Sequence, residues 1–163
     1  MANLIVMILM RFLHNLFTVM WIGGMIVLGI GILPVIQTTV EKGERMKMVE
    51  AIRIRMNKLV AMSIIGLFLT GLFMSNASPS FEGYLSLANQ YSTILSIKHV
   101  AVGVMVIITL VRNRMLSNLK SKARKKQQKI TALLLIVNII IGILVLFLSA
   151  WTAALTAMQA NLN

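Results

Sequence analysis

The chain has 163 residues, of which 58% are hydrophobic; mean hydropathy is +0.88, and 16 Lys and Arg face only 4 Asp and Glu, giving a formal net charge of +12. That leaves too little polar surface to cover an ordinary soluble domain, so this class is excluded. With no cysteine in the chain, disulfides and thiolate metal sites are excluded as well.

Four apolar stretches follow one another along the chain. The first runs from Leu4 to Ile36 and carries Arg11 and His14 near its start. No basic region precedes it and no small-residue cleavage pattern follows closely, so it reads as a retained helix rather than a removed signal. Gly23, Gly24, Gly29 and Gly31 give it a small-residue face for close helix packing, and Pro34 is expected to end or kink it. The segment from Glu41 to Lys58 places Met46, Val49, Ile52 and Met56 at helical spacing, which predicts a helical extension beyond the membrane plane. The second stretch runs from Leu59 to Met74 and the third from Tyr91 to Val111, with Lys98 and His99 inside it. The fourth, from Ile130 to Ala157, contains no charge, and its Asn138 is placed to bridge helices.

Each stretch is near the ~20 residues needed to cross a hydrocarbon core about 30 Å thick. Backbone polar groups must be satisfied internally in lipid, so the stretches are read as helices. The expected fold is all-α: one domain over residues 1–163, an integral membrane four-helix bundle of up-down topology with both termini outside. Two helical hairpins of similar layout make up the chain, without a residue-by-residue repeat.

The basic residues are segregated. Lys42, Arg45, Lys47, Arg53, Arg55 and Lys58 lie between the first two spans, and Arg112, Arg114, Lys120, Lys122, Arg124, Lys125, Lys126 and Lys129 between the last two. The link from Ser75 to Gln90 has Glu82 and no Lys or Arg. The positive-inside rule then predicts a multi-pass protein of the cell membrane with basic loops 37–58 and 112–129 in the cytoplasm. This segregation reads as orientation and not as a nucleic-acid surface. The expected partners are the lipid bilayer, anionic lipids at the basic loops, and a redox partner or a second copy of the chain. Trp151, Tyr84 and Tyr91 suit the outer aromatic belt, whereas Trp21 lies too deep for it and is expected to pack inside.

His14 and His99 are the candidate functional centre, because ionisable residues inside a membrane are costly and mark sites by default. Both fall in the outer half under the predicted orientation, each beside a cation, Arg11 or Lys98. Helical spacing sets Met7, Met10, Arg11, Phe17, Thr18 and Trp21 near His14, and Gly103 one turn from His99. An aromatic on one side and a glycine on the other can border a flat ligand. The competing reading makes the histidines structural, hydrogen-bonding across helices.

Imidazole suits haem iron and copper, while zinc asks for more ligands than these spans contain. The spans hold no Asp or Glu, which argues against a hydrolytic metal centre. Arg11 and Lys98 would neutralise the propionates of a haem but bring nothing to a copper ion. Haem b between His14 and His99, shaped by Trp21 and Gly103, is therefore the first expectation, with electron transfer or redox handling as its role. The alternative is copper held by His14, His99 and Met10. The thirteen methionines suit Cu(I), with Met10 and Met74 best placed, although scattered methionines also fill cores.

His14 followed by Trp21, Ile22, Gly23 and Gly24 and then Pro34, the triplet Leu69-Thr70-Gly71, and Tyr91, Leu95 and Lys98 leading to Asn113-Arg114 resemble the membrane domain of the CopD-type copper resistance proteins. This resemblance implies a four-helix membrane unit associated with copper or haem. His14 and Lys98 also match the first-helix histidine and third-helix lysine of the HemJ-type protoporphyrinogen oxidases, a likeness that implies an oxidoreductase acting on a porphyrin. The chain differs from long CopD sequences in having one four-helix unit and no histidine or methionine cluster in an outer loop.

Overall fold

The computed structural model describes residues 2–77, 83, 86–117 and 124–160. Tyr84, Glu82, Lys120 and Lys122 lie outside them. The chain is all-α: among the described residues there are four long helices and no strand, and each helix is long and apolar enough to cross a membrane. Large apolar side chains stand exposed along all four, as at Phe68, which is 65% exposed. In water such surface would be an aggregation hazard; in a bilayer it faces acyl chains.

Helix α1 covers Ala2–Thr18 and continues through a π-helical turn Val19–Gly23, a short α segment Gly24–Ile26, a second π-helical stretch Val27–Ile32 and a final α segment Leu33–Thr39. Pro34 does not end this helix. It lacks an N–H and its ring crowds the carbonyl one turn back, and the wider π geometry falls on the turn just before it. Helix α2 is Lys42–Asn76, so only Val40 and Glu41 link the pair. The Glu41 carbonyl accepts the amides of Glu44 and Arg45 at 3.1 and 3.0 Å, and the Arg45 guanidinium donates to the Val40 carbonyl at 2.9 Å. These bonds serve chain ends that the helices themselves leave unsatisfied. As the spacing predicted, residues 42–58 are helical, and Met46, Val49, Ile52 and Met56 are all half-buried.

Helix α3 is Gln90–Ser117 and α4 is Arg124–Ala160. The helices divide into two compact units, Met1–Ala77 with the α1/α2 hairpin and Ser78–Asn163 with the α3/α4 hairpin.

Each hairpin is held in the way a membrane demands, by small residues and polar bridges rather than by hydrophobic drive. In the first, a Cβ on Gly66 would meet the Phe17 ring at 2.3 Å, and one on Gly24 would meet the Met56 methyl at 3.0 Å. In the second, the Asn138 amide donates to the Thr109 hydroxyl at 3.0 Å, joining α4 to α3 beside fully buried Met105. Buried hydroxyls return their protons to their own helix: Ser63 to Leu59, Ser96 to Ser92 and Thr109 to Met105, at 2.8 to 2.9 Å.

Candidate functional site

His14 lies on α1 where it faces Thr70 and Gly71 of α2. Its Nδ1 is 2.9 Å from the Thr70 hydroxyl oxygen, and its Cε1 would stand 3.6 Å from a Cβ added to Gly71. The Thr70 hydroxyl in turn lies 2.7 Å from the Gly66 carbonyl. A hydroxyl has one proton and the carbonyl can only accept, so both contacts are satisfied together only when His14 Nδ1–H donates to Thr70 and Thr70 donates to Gly66. That chain places a proton on Nδ1. The Thr18 hydroxyl donates to the His14 carbonyl at 2.8 Å.

The contacts of the first hairpin give its register. His14 is level with Thr70, Phe17 with Gly66, and Gly24 with Met56. One turn from His14 and Thr70, toward the chain end of each helix, the register sets Met10 across from Met74, both half-buried. No charged residue stands between Lys58 and Asn76, a stretch of about 27 Å at about 1.5 Å per residue, which matches the hydrocarbon core. His14 is then about 9 Å inside the Asn76 end of that stretch, at the level of Thr70. Arg11 is exposed nearer the same end, where its long side chain reaches the interface.

Trp21 lies two turns from His14, in the first π-helical turn, and is only 1% exposed. Its indole N–H has no acceptor among the described residues. Buried N–H groups are nearly always paired, and π turns concentrate at functional sites.

In the second hairpin, His99 Nδ1 is 2.8 Å from the Leu95 carbonyl one turn earlier on α3. A carbonyl only accepts, so here too Nδ1 carries a proton. The ring is exposed, and Gly103 on the same face has open space where a Cβ would be. Lys98 shares the opposing stripe of α3 with buried Ile94 and Met105 and is half-buried.

Sequence reasoning singled out His14, His99, Arg11, Lys98, Trp21, Gly103 and Met10. The fold adds Thr70, Gly71 and Gly66 around His14. The signal for them was the spacing of Gly66, Thr70 and Gly71, which opens one face of an otherwise bulky apolar span. No group of three or more His, Cys, Asp or Glu is gathered among the described residues. No protein-family model, curated protein or solved structure matches this chain.

Proposed function

We propose that this chain is a haem b-binding protein of the cell membrane, with His14 and His99 as axial ligands through Nε2, and that it serves electron transfer or haem redox handling. The observation that carries the reading is the Nδ1–H donor common to both rings. Each Nδ1–H is held by an oxygen, Thr70 for His14 and Leu95 for His99, at 2.9 and 2.8 Å. Histidines that ligate metal almost always donate their other N–H in this way, which fixes the ring and raises its basicity.

The surroundings fit the group. The open face at Gly103 leaves room beside His99 for a flat macrocycle. Arg11 and Lys98 would neutralise propionates. Haem would supply a one-electron iron couple, whose potential the chain tunes through ligand identity, burial and local charge. The basic segments 37–58 and 112–129 face the cytoplasm, beside anionic lipid. The test is a reduced-minus-oxidised absorption spectrum of protein purified from haem-replete cells. A Soret shift lost in His14→Ala and in His99→Ala is expected; a colourless wild-type protein refutes the reading.

One observation favours a second reading. The first hairpin alone brings Met10, Met74 and His14 to adjacent turns, a soft donor set of the kind that suits Cu(I). It predicts copper that survives His99→Ala and is lost in a Met10→Leu, Met74→Leu double variant, with haem absent. The likeness to CopD-type membrane domains accords with either reading.

A further inference from the structure

The first hairpin is longer than a bilayer needs. Leu4–Thr39 has 36 residues and Gly43–Asn76 has 34, so each helix measures more than 50 Å at about 1.5 Å per residue. The whole bilayer, headgroups included, is about 40 to 45 Å thick. The uncharged part of α2 ends at Lys58, two residues short of Met56, which is level with Gly24. Beyond that level the helices differ. From Gly24 to Ile36, α1 has no charged residue, whereas α2 alongside it bears six cations between Lys42 and Lys58.

Two of those cations are engaged within the hairpin, Arg53 with the Glu50 carboxylate and Arg45 with the Val40 carbonyl. Lys47, Arg55 and Lys58 are exposed on one helical face with Met48, Ala51 and Ile54. On α1 the apolar exposure is larger: Ile30 is 71% and Val35 59% exposed, with Val27 and Pro34 on the same side. An upright hairpin would hold Ile30 and Val35 in water, beyond a headgroup layer only about 5 to 7 Å deep on each side. A helix too long for its bilayer accommodates by tilting. An apolar face rimmed by Lys and Arg is the composition of an element that lies in the membrane interface.

We infer that the Gly24–Lys58 end of the first hairpin is an interfacial element of the inner leaflet, in which Val27, Ile30 and Val35 enter the acyl region and Lys47, Arg55 and Lys58 bind the phosphates of anionic lipids. The charge of the exposed cations selects anionic headgroups as the occupant, and a second copy of the same basic face would be repelled. The inference rests on the inward orientation of the basic segments and not on haem.

The absence of cysteine makes the test direct. Ile30→Cys and, as a mid-span reference, Phe68→Cys are labelled with a fluorophore in nanodiscs of phosphatidylcholine with or without phosphatidylglycerol, using lipids brominated on the acyl chain. In phosphatidylglycerol discs the Ile30 label is expected to show at least half the quenching of the Phe68 label, and about twofold less in pure phosphatidylcholine. The variant K47Q/R55Q/K58Q should abolish that lipid dependence. An Ile30 label that bromolipid does not quench, but a water-soluble quencher does, overturns the proposal. A lipid dependence that survives the triple substitution overturns the headgroup assignment. Gln37→Cys, probed with an impermeant maleimide on intact cells, checks orientation separately: protection supports the inner leaflet, and labelling from outside overturns that assignment while leaving the quenching result to stand.

Discussion

Replacing Gly66 with Ala should damage the first hairpin and the His14 site together. The added Cβ would lie 2.3, 2.4 and 2.6 Å from three atoms of the Phe17 ring, so the ring must retreat by about 1 Å to reach the 3.4 Å of ordinary contact. Phe17 is half-buried and rigid beyond its two torsions, and the obstacle is its flat ring rather than a flexible chain end. Overpacking of this kind costs about 1 to 3 kcal/mol. Relief by separating the helices stretches the 2.9 Å contact of His14 with Thr70, one turn away on both helices, beyond hydrogen-bond range. The assay is unfolding of wild type, Gly66→Ala, Phe17→Ala and the double variant in one detergent. Because the two sites touch, Gly66→Ala should cost at least about 1 kcal/mol less in the Phe17→Ala background. A Gly66→Ala protein as stable as wild type, or a cost unchanged by removing the Phe17 ring, would refute the reasoning.

Thr70→Val removes the acceptor of His14 Nδ1–H, whereas Thr70→Ser keeps it. Nitrogen-15 shifts of the ring should show a mixed tautomer in the first variant and the native one in the second, and metal or haem retention should fall about 10- to 100-fold only in the first. Asn138→Leu and Thr109→Val should each destabilise the second hairpin by about 0.5 to 2 kcal/mol, with a double variant showing that the losses are coupled; additive losses would dismiss the bridge. Glu50, outside the uncharged part of α2, has its carboxyl held below the ordinary value by hydrogen bonds from the Arg53 guanidinium, against a smaller opposing effect of burial. Its contribution is therefore complete at neutral pH, starts to fade only below the free-carboxyl value of about 4.3, and is lost as pH falls through the lower folded value. Glu50 is exposed beside a half-buried Arg53, so a Glu50→Gln comparison at pH 7 and pH 3 should differ by only about 0.2 to 0.5 kcal/mol; a difference above 1 kcal/mol would contradict this geometry.

Hydropathy and charge were enough to determine that the chain is all-α, that it has four membrane-length helices, and that residues 42–58 continue a helix. These properties are one-dimensional: about 20 apolar residues and a backbone with no water to bond leave little else to form. The weight placed on His14, His99 and Trp21 came from the same source, the cost of polar groups in lipid. Partners across a helix pair are a matter of register, which apolar periodicity does not set when lipid and core are equally hydrophobic. Only the tertiary structure seated His14 on Thr70, closed Gly66 against Phe17 and brought Met74 level with Met10. The response to Pro34 was also settled there: behind a wider π turn the helix runs past it to Thr39, so of the end or kink that the sequence foresaw, the end does not occur. What the fold added to the two histidines was the proton on each Nδ1, placed by an oxygen one turn back on α3 for His99 and by a hydroxyl on a second helix for His14.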